Sequence, residues 1–322
     1  MIDPADIFEA MEKGDAFWSQ HTDAEVRAAY GVGQRIEATF DFLRRTEFDN
    51  SEQRQSLVQG ENLGEFVVIR PLGSGGMGQV YQALQAPLNR LVALKICDPV
   101  MAREPLLRQR FLVEAKSLAQ LKDQNVVPVL TTGEDRGYLY LAMEYVPGPN
   151  LEMVLNALRG ATADTDAISV ARGVLHGEVT PSSTSRFWGT SGVHLDKDYL
   201  NWVVGAMFEV ARGTAAIHQA GLLQLDIKPA NIVVRPDATP IIVDFGLAAG
   251  VRGEADPGNR PAFLGTPGYA PPEQVRDGPG QLSPAADVFS IGVTFYECLT
   301  LMHPVERLQG ASPEKGNTPI VP

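Results

Sequence analysis

Cysteine, excess positive charge and long apolar runs are all scarce in this sequence, and each shortage excludes a class of protein. The two cysteines among the 322 residues, Cys97 and Cys298, lie far apart, which excludes a disulfide framework or a cysteine zinc site and suits a reducing cytoplasm. The net charge of −12 argues against nucleic acid as the main partner. The longest apolar run, residues 288–302, is interrupted by Glu297 and is shorter than a membrane-spanning helix.

The N-terminus also lacks the apolar core of a secretory signal peptide, because its first residues are acidic and mixed in character. We therefore expect a cytoplasmic domain, and the sequence leaves open a membrane anchor beyond residue 322. A hydrophobic content of 44% over this length is sufficient for a large core and about two domains.

Residues 1–63 differ from the rest of the chain in charge and period. They carry thirteen acids and six bases, an excess of seven within the chain's total of twelve. Ile36, Phe40 and Leu43 recur at helical spacing, which predicts a helical N-terminal extension over residues 1–63. Such an extension would either cover part of the next domain or bind a partner.

Residues 64–146 alternate between apolar and polar positions, which is typical of strands. One helix is predicted among them over residues 105–121, with Phe111, Glu114 and Leu118 on one face. The five predicted strands are 66–69, 79–84, 91–96, 126–130 and 138–145.

Residues 147–322 are predicted to be mostly helical after a hinge at Pro147 to Pro149. Helices are expected over 151–158, 198–218 and 287–301. The last of these is apolar nearly all round, which is typical of a helix buried on every side.

Residues 160–197 are rich in Ser, Thr and Gly and show no sustained period, which indicates an inserted loop. The loop is either a solvated linker or an autophosphorylation segment. Its candidate acceptors are Thr180, Ser182, Ser183, Thr184 and Ser185.

The candidate chemistry is concentrated in residues 222–246. Two short apolar runs there, 232–234 and 241–243, are separated by a turn and predict a hairpin. Two acids and an amide at the ends of rigid strands are suitable oxygen donors for Mg²⁺. The polar side chains of this stretch are Asp226, Lys228, Asn231 and Asp244.

The glycine-rich stretch Gly73 to Gly78 has two interpretations when it is taken alone. The same G-x-G-x-x-G pattern marks dinucleotide-binding Rossmann domains, but there it opens a helix. Here strand residues follow, which favours a hairpin whose backbone N–H groups approach phosphates at Gly73, Gly75 and Gly78. The sequence has no Walker-type motif, which excludes a P-loop NTPase.

Lys95 ends an apolar strand, where a lysine is usually an edge residue that reaches water. Glu114 lies on the apolar face of the predicted helix, and an unpaired carboxylate there would be costly. We therefore expect Lys95 and Glu114 to form an ion pair.

Together these stretches resemble a eukaryotic-like, Hanks-type protein kinase, and most of all the bacterial serine/threonine kinases. The resemblance covers about residues 64–305. It implies an α+β, bilobal protein-kinase-like fold with an antiparallel five-stranded N-lobe (64–146) and a mostly helical, incomplete C-lobe (147–322). The matching stretches are LGSGGMGQVY (72–81), VALK (92–95), MEYVPG (143–148), LDIKPANIVV (225–234), DFGLA (244–248), GTPGYAPPEQ (265–274) and DVFSIGVTFYECLT (287–300).

The resemblance implies a nucleotide site with Mg²⁺. Lys95, paired to Glu114, would hold the α- and β-phosphates of ATP, and Asn231 and Asp244 would hold the metal. The residues that would enclose ATP are Leu72, Gly73, Gly75, Gly78, Val80, Ala93, Lys95, Met143, Glu144 and Val146.

The resemblance also implies a catalytic loop. Asp226 would orient the substrate hydroxyl and accept its proton, and Lys228 would neutralise the γ-phosphate in the transition state. Thr266 would help to fix the substrate-binding loop, and Asp287 would tie the catalytic loop to the central helix of the C-lobe.

The sequence departs from the family pattern at three places. Gln224 and Leu225 replace the His-Arg pair of the catalytic loop, and residues 247–265 contain no Ser, Thr or Tyr. We therefore predict activity without activation-loop phosphorylation. The loop has no hydroxyl that could accept a phosphate, and the arginine that would bind such a phosphate is replaced by Leu225. Glu273 lacks the late helix that supplies its arginine partner, which indicates an incomplete chain or a degenerate kinase stabilised by a partner.

The first functional hypothesis is a protein serine/threonine kinase that uses ATP and Mg²⁺ on protein substrates in bacterial signalling. The alternative is a pseudokinase, a nucleotide-binding or scaffold module, which Gln224 and Leu225 favour. A small-molecule phosphotransferase on the same fold is disfavoured by Lys228 and residues 265–274, because both features belong to kinases that act on peptides.

Overall fold

The first part of the fold is an antiparallel β-sheet, as the alternating sequence predicts. The computed structural model describes residues 57–75, 78–97, 105–162, 165–179, 193–244, 265–266, 268–277 and 282–304, all within one compact unit of residues 50–307. The strands of this sheet are Asn62–Leu63 (β1), Phe66–Gly75 (β2), Gly78–Gln85 (β3), Arg90–Cys97 (β4), Val129–Asp135 (β5) and Tyr138–Glu144 (β6). They lie in the order β1-β2-β3-β4-β6-β5, and every neighbouring pair is antiparallel.

Among the residues that the structure describes, the sheet has six strands in place of the five predicted. The additional strand is β1, in which Leu63 pairs with Phe66 and both side chains are fully buried. The predicted strand 126–130 is wrong in position, because β5 begins only at Val129. The backbone N–H of Val127 donates instead to the carbonyl of Ile242 in the second lobe, at 3.0 Å. Residues 1–56 of the predicted helical extension lie outside the described residues.

Helix α1 (Pro105–Gln120) confirms the helix predicted in this lobe. Phe111, Ala115 and Leu118 lie on its buried face, in one core cluster with Leu139 and Leu141 of β6. The stripe at spacings of three and four residues therefore packs α1 against the sheet.

The second lobe is mostly helical, and its predicted helices are confirmed with small shifts at their ends. Asn150 caps the first of them, because its Oδ1 accepts from the N–H of Met153 at 2.9 Å. Within the described residues, no helix combines the length and the apolar character that a membrane span needs. The helices are Leu151–Arg159 (α2), Ala167–Leu175 (α3), Lys197–Gln219 (α4), Pro272–Asp277 (α5) and Pro284–Thr300 (α6).

Helix α3 corrects the interpretation of residues 160–197 as a loop without a sustained period. Ala167, Val170, Ala171 and Val174 recur at helical spacing and are buried. This apolar stripe is only two turns long, which is why the polar residues around it concealed it. The candidate phosphorylation sites of this insertion lie outside the described residues.

One carboxylate holds the starts of two helices. Asp196 is the N-cap of α4, with Oδ1 accepting from the N–H of Tyr199 at 2.9 Å, and its Oδ2 accepts from the N–H of Ile168 in α3 at 3.0 Å. Burial by itself raises the pKa of the Asp196 carboxyl, but these backbone N–H groups bring the pKa below its ordinary value. The two ends of the insertion are therefore joined by a charged cap.

Helix α6 is not buried on every side, contrary to the expectation from its composition. Val288 is 62% exposed and Phe289 is 42% exposed, whereas Asp287, Ser290 and Thr294 on the opposite side are buried. Within the described residues, this outward face therefore has no full cover.

A short hairpin carries the candidate chemistry of the second lobe, as predicted. Its strands are Ile232–Val234 (β7) and Pro240–Ile242 (β8). The segment after β6 lies directly against it, with the N–H of Val234 donating to the carbonyl of Pro149 at 2.8 Å. Gly148 is required there, since a Cβ at that residue would lie 2.1 Å from the Val234 carbonyl oxygen.

Candidate active site

The loop between α4 and β7 brings Asp226 and Asn231 into direct contact. A short 3₁₀ turn over Pro229–Asn231 folds the chain back on itself. The side-chain N–H of Asn231 then donates to the carbonyl of Asp226 at 2.9 Å and to its Oδ2 at 2.8 Å. The Asp226 carboxylate is thereby held in one orientation by its own loop.

Lys228 and Thr266 complete the surroundings of this carboxylate. Lys228 Nζ lies 3.0 Å from Asp226 Oδ2, and the Thr266 hydroxyl donates to Asp226 Oδ1 at 2.6 Å. Lys228 Nζ also donates to Thr266 Oγ1 at 2.5 Å. The Thr266 contact joins segments 40 residues apart in the sequence. The acid, the lysine and the hydroxyl therefore form one closed network.

Asp287 anchors the start of the same loop, as the family resemblance implies. Its side chain is fully buried, with Oδ2 accepting from the backbone N–H of Gln224 at 2.9 Å and Oδ1 from that of Leu225 at 2.7 Å. Oδ2 also lies 2.7 Å from Nε2 of His218. Leu225 has a φ of +58°, which is uncommon for a branched residue, and the two N–H bonds to Asp287 hold the backbone there.

Asp244 ends the hairpin and contacts the first lobe. Its carboxylate forms an ion pair with Lys95, which lies 149 residues earlier in the sequence. Its backbone has a φ of +58°, and its carbonyl accepts from Nε2 of Gln224 at 2.8 Å. Asp244 is therefore held through both its side chain and its backbone.

The sheet register places Lys95 inside the cleft between the lobes. Lys95 of β4 lies opposite Val80 and Leu141, and its side chain is buried. Ala93, two residues earlier, lies opposite Met143. Successive side chains of a strand alternate between faces, so these residues share the face that carries Lys95.

Glu114 is buried on the apolar side of α1, close in sequence to the buried residues Phe111 and Leu118. This confirms its predicted position on the helix. Its pairing with Lys95 stays a prediction.

The glycine-rich stretch joins β2 and β3, as predicted. Gly73 has open space around it, whereas a Cβ on Gly78 would lie 2.0 Å from the backbone oxygen of Ile96. Gly78 also has a φ of +134°, which side chains rarely permit. Leu72 is exposed, and Gly75 ends β2. The backbone therefore comes close to β4 at Gly78 and stays open at Gly73.

The segment from Met143 to Val146 connects the two lobes. Met143 and Val146 are buried, and Glu144 between them is exposed. Arg235 in the turn of the hairpin lies 3.3 Å from a Glu144 oxygen. This contact is half exposed, so it contributes little to stability.

Two acids and one amide are the available donors for a metal ion. The nitrogen of Asn231 is used by Asp226 and one oxygen of Asp244 by Lys95. Asn231 Oδ1 and Asp244 Oδ2 accept no hydrogen bond from any described residue. Carboxylate and amide oxygens are hard donors, which suit Mg²⁺ better than a softer metal, so the residues present fit Mg²⁺. The described residues contain no cluster of three or more His, Cys, Asp or Glu.

Sequence reasoning missed a buried hydrogen-bond network around Glu297, which is connected to Thr266 through Tyr269. Arg159 Nη2 donates to Glu297 Oε1 at 2.6 Å, and the Tyr269 hydroxyl donates to Glu297 Oε2 at 2.5 Å. Burial, together with the Glu297 carboxylate, raises the pKa of Tyr269, which stays protonated as a donor. Glu297 interrupts an otherwise apolar helix, and this interruption was the available indication of a buried partner.

Leu225, which follows Gln224, is an apolar residue with apolar neighbours. Leu225 is buried in a small cluster with Leu223, Leu282 and Ala286. Gly265 approaches it closely, since a Cβ there would lie 2.6 Å from the Leu225 carbonyl oxygen.

Residues 245–264, which include most of the predicted activation loop, lie outside the described residues. Glu273 forms no ion pair with any described residue.

Comparisons with known proteins agree with this geometry. Serine/threonine-protein kinase PknL of Mycobacterium tuberculosis is 32% identical over 235 residues, covering 73% of this chain and 49% of PknL. PknE of the same species is 30% identical over 244 residues, covering 75% of this chain and 36% of PknE. The crystal structure of the M. tuberculosis PknI kinase domain aligns with a TM-score of 0.53 at 25% identity, covering 80% of this chain and 82% of that domain.

These curated relatives are longer proteins, and the chain spans about half the length of PknL. The expected α+β fold and the resemblance to bacterial serine/threonine kinases are both confirmed. A sequence model of the family described as protein tyrosine and serine/threonine kinase matches residues 66–314, well over half of the chain. The chain therefore belongs to the protein tyrosine and serine/threonine kinase family.

Proposed function

We propose that this chain is an ATP- and Mg²⁺-dependent protein serine/threonine kinase of bacterial signalling. The observation that carries the proposal is the closed network of Asp226, Lys228, Asn231 and Thr266. It lies on the same loop as Gln224, whose side chain contacts Asp244, and Asp244 reaches Lys95 across the lobes. Phosphoryl transfer depends mainly on positioning and on charge stabilisation, and this arrangement supplies both.

Asp226 is the residue that contacts the substrate hydroxyl. It orients the hydroxyl and accepts its proton as the oxygen bonds to the γ-phosphorus and the bond to the β–γ bridging oxygen of ATP breaks. Lys228 neutralises the charge on the transferred group. Bound Mg²⁺ supplies further neutralisation of phosphate charge, with Asn231 and Asp244 as its protein ligands.

The nucleotide lies in the cleft formed by β2, β3, β4 and the connecting segment. Lys95 holds the α- and β-phosphates, and Glu114 keeps the lysine in place. The base lies against an apolar surface that is supported by the shared register of Val80, Ala93 and Met143. Leu72, Glu144 and Val146 border the adenine, and Gly73, Gly75 and Gly78 cover the phosphates.

Serine and threonine are the proposed acceptors because Lys228 lies two residues after Asp226 and contacts both Asp226 and Thr266. A protein substrate is favoured over a small molecule by the buried support of residues 265–274. Ser290 Oγ donates to the carbonyl of Tyr269 at 2.9 Å, and Tyr269 in turn donates to Glu297. A firmly held loop of this kind is suited to binding a peptide.

We further propose that activity does not depend on phosphorylation of the activation loop. Leu225 cannot bind a phosphate, and its side chain is enclosed by Leu223, Leu282 and Ala286. The loop start is instead held by Asp287 through backbone bonds, which need no modification. The domain is proposed to act in the reducing cytoplasm, a proposal consistent with the burial of Cys97 and Cys298 far apart in the sequence.

The main test is phosphate incorporation from radiolabelled ATP into a generic basic protein. Asp226→Asn should lower the rate about 100-fold or more, because it removes the proton acceptor while it keeps the shape. Asp237→Asn in the hairpin turn is the matched control and should retain the wild-type rate. Equal incorporation by wild type and Asp226→Asn would remove the catalytic assignment.

The same assay separates the alternative function. Nucleotide binding without any incorporation would favour a pseudokinase or scaffold, which the substitutions at Gln224 and Leu225 also favour. Independence from phosphorylation is tested by mass spectrometry and phosphatase treatment. Phosphorylated Thr266 in the active protein, together with loss of activity after its removal, would contradict that part of the proposal.

A further inference from the structure

We propose that Gln224 is a positioning residue that holds the backbone of Asp244 so that its carboxylate can serve the metal. The inference rests on the proposed kinase function. Gln224 is outside the set of residues to which the resemblance gives a role, and it stands where the family has histidine.

Gln224 joins three parts of the site through one residue. Its side chain is 0% exposed, and its Nε2 donates to the carbonyl oxygen of Asp244 at 2.8 Å. Its own backbone N–H donates to Asp287 Oδ2 at 2.9 Å. The buried side of helix α6, the catalytic loop and the segment after β8 are thereby linked in one chain of hydrogen bonds.

Asp244 needs such a link because its backbone is in an uncommon conformation. A φ of +58° is disfavoured for a residue with a Cβ, so the surrounding contacts must hold it. The described contacts that hold it are the ion pair with Lys95 and the bond from Gln224. Lys95 is also proposed to bind the phosphates of ATP. The hydrogen bond from Gln224 is therefore the contact whose role is only to hold Asp244.

The other end of the Gln224 amide points to the same conclusion. Its Oε1 is buried and has no hydrogen-bond partner. An unpartnered buried oxygen destabilises a fold, and an apolar side chain of the same shape would avoid that effect. Stability of the fold therefore does not explain why a glutamine occupies this position. The hydrogen bond that its Nε2 donates to Asp244 does explain it.

The test is Gln224→Met, which keeps the length of the side chain and removes both the donor and the unpartnered oxygen. We expect unfolding stability equal to or above that of the wild type. We expect the Mg²⁺ concentration for half-maximal binding of a non-hydrolysable ATP analogue, measured by calorimetry, to rise about fivefold, since one net hydrogen bond is lost. The Mg²⁺ requirement of phosphate transfer should rise in parallel.

Gln85→Met is the matched control. Gln85 is buried in β3, but both ends of its amide have a partner, the nitrogen donating to Glu65 Oε1 at 2.5 Å and the oxygen accepting from Arg90 Nε at 2.5 Å. This variant should lose stability and keep the wild-type Mg²⁺ requirement. The two variants are thus expected to show opposite patterns.

Gln224→His tests rescue, because an imidazole N–H can donate to the same carbonyl. It should return the Mg²⁺ requirement to within about twofold of the wild type, as the lost bond is restored. An unchanged Mg²⁺ requirement in Gln224→Met, failure of that variant to fold, or an equally raised requirement in Gln224→His would each overturn the proposal. Wild type and Asp226→Asn in the same assays report on the kinase function separately.

Discussion

The ion pair between Arg159 and Glu297 provides the most direct test of how the second lobe holds the substrate loop. The two side chains are 19% and 8% exposed. Arg159 also donates to the Leu301 carbonyl and to Asn156 Oδ1, both at 2.9 Å. Arg159→Leu would leave the Glu297 carboxylate buried with Tyr269 as its remaining donor.

The loss in the free energy of unfolding that we expect for Arg159→Leu follows from this burial. Removing one partner of a buried ion pair costs about 3–5 kcal/mol, and the slight exposure of Arg159 favours the lower end, about 3 kcal/mol. In the wild-type background, Glu297→Gln should cost about 1 kcal/mol, because a charged acceptor becomes neutral. In the Arg159→Leu background the same change should stabilise by about 1 kcal/mol, because it removes an unpaired charge.

Urea unfolding followed by circular dichroism at pH 7 measures all four proteins of this cycle. Arg159→Leu should also melt roughly 10 °C below the wild type. Arg172→Leu in α3 is the matched control, because Arg172 is exposed. This substitution should change the free energy of unfolding by less than about 0.5 kcal/mol. The reasoning is refuted if Glu297→Gln destabilises both backgrounds by the same amount, since the coupling should be about 2 kcal/mol.

Asp196 and Gly78 provide two further tests. Asp196→Ala should lower the free energy of unfolding by about 1–2 kcal/mol at pH 7, because α3 and α4 both lose a cap. The pKa of Asp196 is lowered in the fold, so its contribution is present above about pH 4 and is lost as the pH falls through the folded pKa; a wild-type advantage that does not shrink in acid would contradict this. Gly78→Ala should cost more than Gly137→Ala, because a Cβ meets the Ile96 backbone at the first site and open space at the second. Denaturant melts compare the two alanine variants, and ATP titration should show weaker binding only for Gly78→Ala.

The local features of the site could be predicted from the sequence. Asp226, Lys228 and Asn231 lie within six residues, so a tight turn is enough to bring them together, and the hairpin that follows has a clear turn. Helices α1 and α4 have long apolar stripes or strong caps, and their positions were correct to within about two residues. The ordered kinase motifs identified the fold because so many of them occur in one chain.

Other features depended on contacts between distant segments. The strand predicted at 126–130 was misplaced because Val126 and Val127 pair with the second lobe rather than with the sheet. Helix α3 was missed because its stripe is short and its start depends on Asp196, 28 residues away from Ile168. Helix α6 was expected to be buried on every side, yet composition alone does not show which of its faces has a neighbour, and Val288 and Phe289 are exposed.

The sequence alone determined the family, the order of the longer elements and the candidate residues for the chemistry, because these depend on residue types at short spacings. Tertiary structure decided which groups share a hydrogen bond. Gln224 appeared only as a departure from the family pattern, and its contact with the Asp244 carbonyl exists because α6 holds the loop start through Asp287. The Arg159–Glu297–Tyr269 network arises in the same way, because a buried charge selects its partner by position in space rather than by position in the chain.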